Sequence, residues 1–166
     1  MKESIIDRNK KVLDVCCGSR MFWFDKHNKN TIFMDNRELH EVLCDGRTLD
    51  VCPDIVGDFT SIPFPDDSFN LVVFDPPHLM KVGDTSWLAK KYGKLNPTTY
   101  KNELAQGFRE CFRVLIPGGV LVFKWNETDI KTSEIISLSP YEPLFGHKSG
   151  KQSKTQWLVF MKNSGR

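Results

Sequence analysis

Long apolar runs are missing from this chain: none among its 166 residues approaches the length of a membrane span. The opening Met1-Lys2-Glu3-Ser4 leads into no signal-peptide core, so a cytoplasmic protein with no membrane partner is expected. Paired cysteines are missing too. The five thiols (Cys16, Cys17, Cys44, Cys52, Cys111) are odd in number, and the adjacent two rarely bridge to each other. Reduced, packed thiols are expected rather than a disulfide framework. No CxxC pair or His-rich zinc spacing occurs, which argues against a metal site. Internal repeats and low-complexity tracts are absent as well. Charge of one sign is nearly so, at a net +2 with 27% charged and 40% apolar residues. Those values suit one globular domain, residues 1–166.

The charge that is present is unevenly spread. Lys81, Lys90, Lys91, Lys94, Lys101, Arg109 and Arg113 face only Asp84, Glu103 and Glu110 in their stretch. From Tyr141 onward, Lys148, Lys151, Lys154, Lys162 and Arg166 face Glu142 alone. A mild basic excess is compatible with a polyanionic partner, although surface lysines often only solvate a face.

Apolar periodicity orders the chain. Residues 11–15, 31–34, 54–56, 69–74 and 119–125 read as five buried strands, rich in Val, Leu and Phe. Leu104, Phe108, Cys111, Phe112 and Leu115 recur at helical spacing within 99–115, with Pro117-Gly118-Gly119 as the stop. Phe22 and Trp23 begin a short helix, and another lies at 133–138. Runs at 141–145 and 156–161, joined by 146–151, read as a hairpin whose last strand is antiparallel to its neighbour. The expected fold is α/β: a doubly wound, seven-stranded, mostly parallel sheet with an antiparallel C-terminal hairpin strand. Two long connections stand out, 36–52 with little periodicity and 79–98 with lysines, Trp87, Tyr92 and Pro97. The second reads as a substrate-side loop, with a mobile surface loop as the alternative.

Strand ends carry the chemistry. Asp75-Pro76-Pro77-His78 directly follows Leu71-Val72-Val73-Phe74, at the edge where open α/β sheets bind ligands. Proline lacks an N–H and cannot continue a central strand, so the chain must turn there with restricted carbonyl directions. Gly18 after the first strand lets backbone N–H groups approach a ligand. Asp35 ends the second strand and suits the paired hydroxyls of a ribose. Asp58 and Phe59, after the third, could bond an adenine amine and cover its face. Each has a plain alternative as a cap, turn or core residue. Four successive strand ends converging on one crevice argue for a site.

Taken together, these elements resemble the class I S-adenosylmethionine-dependent methyltransferases, with their Rossmann-like fold, from Lys11 to Lys162. Asp14-Val15-Cys16-Cys17-Gly18-Ser19 with Asp75-Pro76-Pro77-His78 resembles the amino-methyltransferases of nucleic-acid bases. The resemblance implies S-adenosyl-L-methionine as cofactor, held by Asp14, Cys16, Cys17, Gly18, Asp35, Asn36, Asp58, Phe59 and Asp75. It implies catalysis by Asp75, Pro76, Pro77 and His78, with Lys81, Trp87, Lys90, Lys91 and Tyr92 on the substrate. The expected reaction is methyl transfer to an exocyclic amine of DNA adenine or cytosine, or of an RNA base. Arg20 stands where a further glycine is usual, and His78 where Tyr, Phe or Trp is usual. No segment is large enough for a target-recognition domain, which implies a separate recognition partner. Methylation of a free small molecule is the second reading, and a non-catalytic nucleic-acid or protein adapter the third.

Overall fold

A computed structural model describes residues 10–43, 45–83 and 86–163. Met1–Ser4, Cys44, Asp84 and Arg166, drawn on above, lie outside the described residues. Strands β1 (Val12–Asp14), β2 (Thr31–Asp35), β3 (Leu39–Val42), β4 (Thr48–Val51), β5 (Ile55–Val56) and β6 (Phe69–Phe74) are followed by β7 (Leu115–Asn126), β8 (Phe145–Lys148) and β9 (Thr155–Met161). Helices α1 (Trp87–Tyr92), α2 (Tyr100–Val114) and α3 (Thr132–Ile136) complete the described elements. None is long and apolar enough to cross a membrane.

The main sheet runs β5-β2-β1-β6-β7-β9-β8. Its first five strands are mutually parallel, and β9 is antiparallel to both neighbours, as the sequence pattern requires. Ile32, Phe33, Met34, Val72, Val73 and Phe74 are all buried, the continuous burial expected of central parallel strands. In β7, buried Leu121, Phe123 and Trp125 alternate with half-buried Val122, Lys124 and Asn126. The first set meets α2, where Phe108 packs on Phe123 at 4.9 Å. Gly107 lets the helix come close: a Cβ there would lie 2.7 Å from Phe59 and 2.8 Å from Phe74.

The opposite face is covered partly by the β1–β2 connection. Trp23 meets Phe33 edge-on at 5.0 Å, and Phe22 meets Trp157 at 5.2 Å. The expected helix at Phe22 and Trp23 is replaced by turns. Gly18 and Arg20 both have positive φ (49° and 55°), which no helix accommodates. Arg20 is held in that glycine-like conformation by bonds from its guanidinium to the Lys26 (2.5 Å) and Cys52 (2.8 Å) carbonyls. It also lies 3.9 Å over the Phe33 ring.

Other departures are local. Residues 36–52 contain the β3–β4 hairpin, with Leu49 and Val51 buried. The 79–98 segment contains α1. Helix α2 ends at Val114, before Pro117-Gly118-Gly119, and Gly118 (φ 78°) sits at an irregularity within β7 instead. Strand β8 begins at Phe145 and takes up residues expected in the hairpin turn. Pro143 has no N–H to offer, and pairing starts only where the Leu144 N–H meets the Val159 carbonyl at 2.7 Å.

Candidate active site

The parallel strands end on one edge, and their tips enclose a cavity of about 610 Å³, a size usual for small-ligand sites. Cys16, Cys17, Gly18, Asp35, Asn36 and Phe59 line one end. Asp75, Pro76, Pro77, His78 and Lys124 line the other, with Lys90, Lys91 and Tyr92 above. Four of the residues expected in the site are not in this lining. Asp58 is exposed and its Oδ1 accepts from the Thr60 N–H and hydroxyl, both at 2.7 Å. Trp87 is 42% exposed on the outer side of α1, and Lys81 is also exposed. Asp14 is fully buried beneath the cavity floor residues Val15 and Cys16.

Asp35 organises the first end. Its Oδ2 accepts the Gly18 N–H at 2.9 Å, while Oδ1 accepts the Arg37 N–H (3.0 Å) and Nε–H (3.1 Å). Gly18 at φ 49° has open space where a Cβ would stand, so its backbone faces the cavity unshielded. Arg37 reaches further and donates from Nη1 to the Lys90 carbonyl of α1 at 2.7 Å. Lys90 in turn pairs with Glu41 of β3 at 2.7 Å.

Asp75 organises the second end. Lys124 Nζ lies 2.7 Å from its Oδ2. Burial raises the Asp75 pKa above the usual carboxylate range, and the Lys124 charge opposes that rise. His78 is half-buried against Tyr92 (5.6 Å) and Trp125 (6.2 Å). Burial and the nearby Lys124 push its pKa down to about 4, so it is neutral at pH 7. The 79–98 segment is closed at its base by Leu95 N–H to the Leu79 carbonyl at 2.8 Å. It is tied to the strand end after β7 by Asp129, which accepts the Met80 and Lys81 N–H groups at 2.7 and 3.2 Å. Gly93 packs so closely on Pro77 that a Cβ would stand 2.9 Å from its ring.

Among the described residues, Asp14 is the one buried side chain with an unsatisfied oxygen. Its Oδ2 accepts Trp23 Nε1–H at 2.6 Å, and its Oδ1 has no partner among the described residues. Burial, then the charges of Asp75 and Asp35, raise its pKa to about 7, against the lowering effect of the Trp23 bond. Asp35 and Asp75 line the cavity and Asp14 lies beneath it, with Arg37 and Lys124 as the cations paired to the first two. The thiols of Cys16 and Cys17 are pushed up by burial, the latter to about 12, which leaves them as inert packing.

Neither a protein-family model nor a curated protein matches the chain. Solved structures do. A SAM-dependent methyltransferase from Methanosarcina mazei aligns over 96% of this chain and 95% of its own, at 11% identity and TM-score 0.56. The chain has the Rossmann-like methyltransferase fold. The [4+2]-cyclase SpnF aligns with the same TM-score, 0.56, over 97% of this chain and 77% of its own at 14% identity. The 1,6-didemethyltoxoflavin-N1-methyltransferase of Burkholderia thailandensis, solved with S-adenosylhomocysteine, aligns over 92% and 70% at 11% identity, TM-score 0.54. A cyclase among these neighbours means that the methyltransferase fold does not by itself dictate the reaction.

Two central residues escape a reading of strand ends alone. Lys124 sits inside the apolar run Val122-Phe123-Lys124-Trp125, and a lone cation in a buried strand was the available signal. Arg37, two residues past Asp35, gave none.

Proposed function

We propose that the protein is an S-adenosylmethionine-dependent methyltransferase acting on an exocyclic amine of a nucleic-acid base. The observation that carries this reading is Asp75, fixed by Lys124 and followed by Pro76-Pro77, across the cavity from the Gly18–Asp35 cradle. The cradle would suit the cofactor: Asp35 would accept the ribose hydroxyls, Phe59 would offer a flat apolar surface, and Asp75 would lie toward the charged sulfonium. The toxoflavin N-methyltransferase, with its bound S-adenosylhomocysteine, supports the same cofactor class. When bound, the cofactor supplies an electrophilic methyl group on a positively charged sulfur.

The chain's own residues prepare the amine. An exocyclic amine is a poor nucleophile because its lone pair is delocalised into the ring. With Lys124 on Oδ2, the other oxygen of Asp75 is left to accept one N–H, and the Pro76 carbonyl accepts the second. Two fixed acceptors hold the nitrogen toward tetrahedral geometry and stabilise the positive charge that grows on it. The ionised Asp75 would also take the proton that nitrogen sheds as the new C–N bond forms and the S–C bond to the methyl breaks. Neutral His78, with Tyr92 beside it, presents a ring surface to the target base. A paired base must be flipped out at a cost of about a few kcal/mol, so single-stranded substrates are favoured.

A second reading, methylation of a free small molecule, draws on α1, which Arg37 and Gly93 hold against the cavity like an enzyme lid. Tritiated methyl transfer to DNA, RNA and a metabolite extract, run side by side, separates the two. Incorporation into nucleic acid is expected, and label confined to metabolites would reject the first reading. Cofactor binding without transfer to any of the three would point to an adapter.

A further inference from the structure

The register of the sheet extends the site beyond its cavity. Phe74 pairs with Phe123, which places Asp75 beside Lys124; Lys124 pairs with Trp157, and Trp157 with His147. Side chains paired across strands share a face, here the one opposite α2. His147 therefore stands two strand spacings from Lys124, on the order of 10 Å. Trp157 is half-buried. Phe22 meets it edge-on, and the Lys124 ammonium lies 5.4 Å from the Phe22 ring centre and 5.8 Å from that of Trp157.

Past Trp157 the surface turns basic. No Asp or Glu occurs from Phe145 to Asn163, while His147, Lys148, Lys151 and Lys154 all fall there. Lys148 and Gln156 alternate with His147 and Trp157 and so fall on the α2 face, where with Lys131 and Lys154 they border a shallow depression beside Thr132. Its one carboxylate, Glu127, is already engaged by Thr132, Gln156 and Lys148. Lys151 and Lys154 are exposed and have no ion pair among the described residues. Asp75 thus lies between the cations of α1 on the β2 side and those of the hairpin on the β8 side.

We infer that this row is the track of a single-stranded nucleic acid: Trp157 stacks on a base flanking the target, and the β8–β9 hairpin holds its phosphates. Aromatic surfaces interleaved with cations recognise such strands, because every base has a π-face and every nucleotide a charge. An apolar small substrate would have no use for an acid-free hairpin. The inference rests on the nucleic-acid reading above and specifies how the strand is held.

Anisotropy of a labelled twelve-nucleotide single strand, titrated with the full chain at several salt concentrations, tests it. The double variant Lys151→Glu/Lys154→Glu, both positions exposed, should bind at least tenfold more weakly. The slope of log K against log salt should become shallower by about 1.4, at roughly 0.7 for each of two lost phosphate contacts. Trp157→Leu should weaken binding by roughly tenfold or more while leaving that slope unchanged. Thermal melting checks that both variants are folded, and Trp157→Phe, which keeps a ring, should recover most of the affinity. A wild-type enzyme that methylates nucleic acid while the variants keep its affinity and slope would overturn the track alone. A wild-type chain that binds no oligonucleotide would overturn the track and the nucleic-acid reading together.

Discussion

Lys124 Nζ stands 2.7 Å from Oδ2 of Asp75, and both side chains are about one-fifth exposed. The pair links two neighbouring strands, since Lys124 is the residue of β7 that comes level with the first residue past β6. Burial in that position favours the protonated carboxyl. The lysine opposes the rise that burial imposes on its pKa and fixes which oxygen is available.

Removing the lysine should therefore shift the pH dependence. Lys124→Met leaves Asp75 buried without its cation, so its pKa, already raised, rises further. Asp75 can take the proton shed by the amine only when ionised, and so the acidic limb of kcat/KM against pH should move to higher pH. Lys124→Arg should move it back. An unshifted limb in Lys124→Met would show that Asp75 is not the titrating group.

Asp75→Ala should abolish methyl transfer and leave cofactor affinity within a few-fold of the parent. The carboxylate contacts the amine in the proposed geometry, whereas the cradle is built on Asp35 and Gly18. Calorimetric titration with cofactor and single-turnover transfer separate the two effects. Near-normal turnover in this variant would sink the mechanism.

Asp35→Ala should act the other way, weakening cofactor binding by about 1–3 kcal/mol, the scale for leaving polar partners unpaired. Three donors lose their acceptor at once, the Gly18 N–H and two of Arg37. Arg37 also holds α1 through the Lys90 carbonyl, so protease cleavage within 79–98 should speed up in the same variant. Unchanged affinity would remove Asp35 from the ribose.

The sheet was legible because runs such as Leu71-Val72-Val73-Phe74 have no reasonable place except a buried strand. The strand-end acids were legible for the same reason, since a carboxylate after such a run lands on the ligand edge. Asp58 stands outside the cavity lining because the same position can also cap a turn, and Thr60 two residues on supplies the donors for that cap. The helix expected at Phe22 and Trp23 failed on backbone angles at Gly18 and Arg20 that side-chain pattern does not record. Strand β8 was misplaced because its four residues are all exposed and leave no period to read.

Gly107 connects the core to Phe59 in the cavity wall. An alanine there gains helix propensity worth about 1 kcal/mol. Its Cβ, however, meets Phe59 at 2.7 Å and Phe74 at 2.8 Å, and overpacking of this kind costs about 1–3 kcal/mol. Gly107→Ala should thus lower stability in urea denaturation, and it should weaken cofactor binding because Phe59 lines the cavity. A stabilised variant with parental affinity would mean that Phe59 yields freely.

Asp14 makes the clearest pH prediction. Its folded pKa is raised to about 7 from 3.8, so between those values the folded chain holds a proton that the unfolded chain has lost. Stability must then fall as pH rises across that window, and the raised pKa of Asp75 adds a change of the same sign. Unfolding free energies of the ligand-free protein should be lower at pH 7.5 than at pH 5, and Asp14→Asn should flatten the difference. A cationic ligand bound in the cavity above Asp14 would favour its ionised form. Cofactor binding near pH 6 should accordingly release protons, giving a calorimetric enthalpy that varies with the ionisation enthalpy of the buffer. In Asp14→Asn that variation should shrink. A wild-type enthalpy indifferent to buffer would mean that Asp14 does not sense the cofactor, and would leave its unpaired oxygen without a ligand to serve.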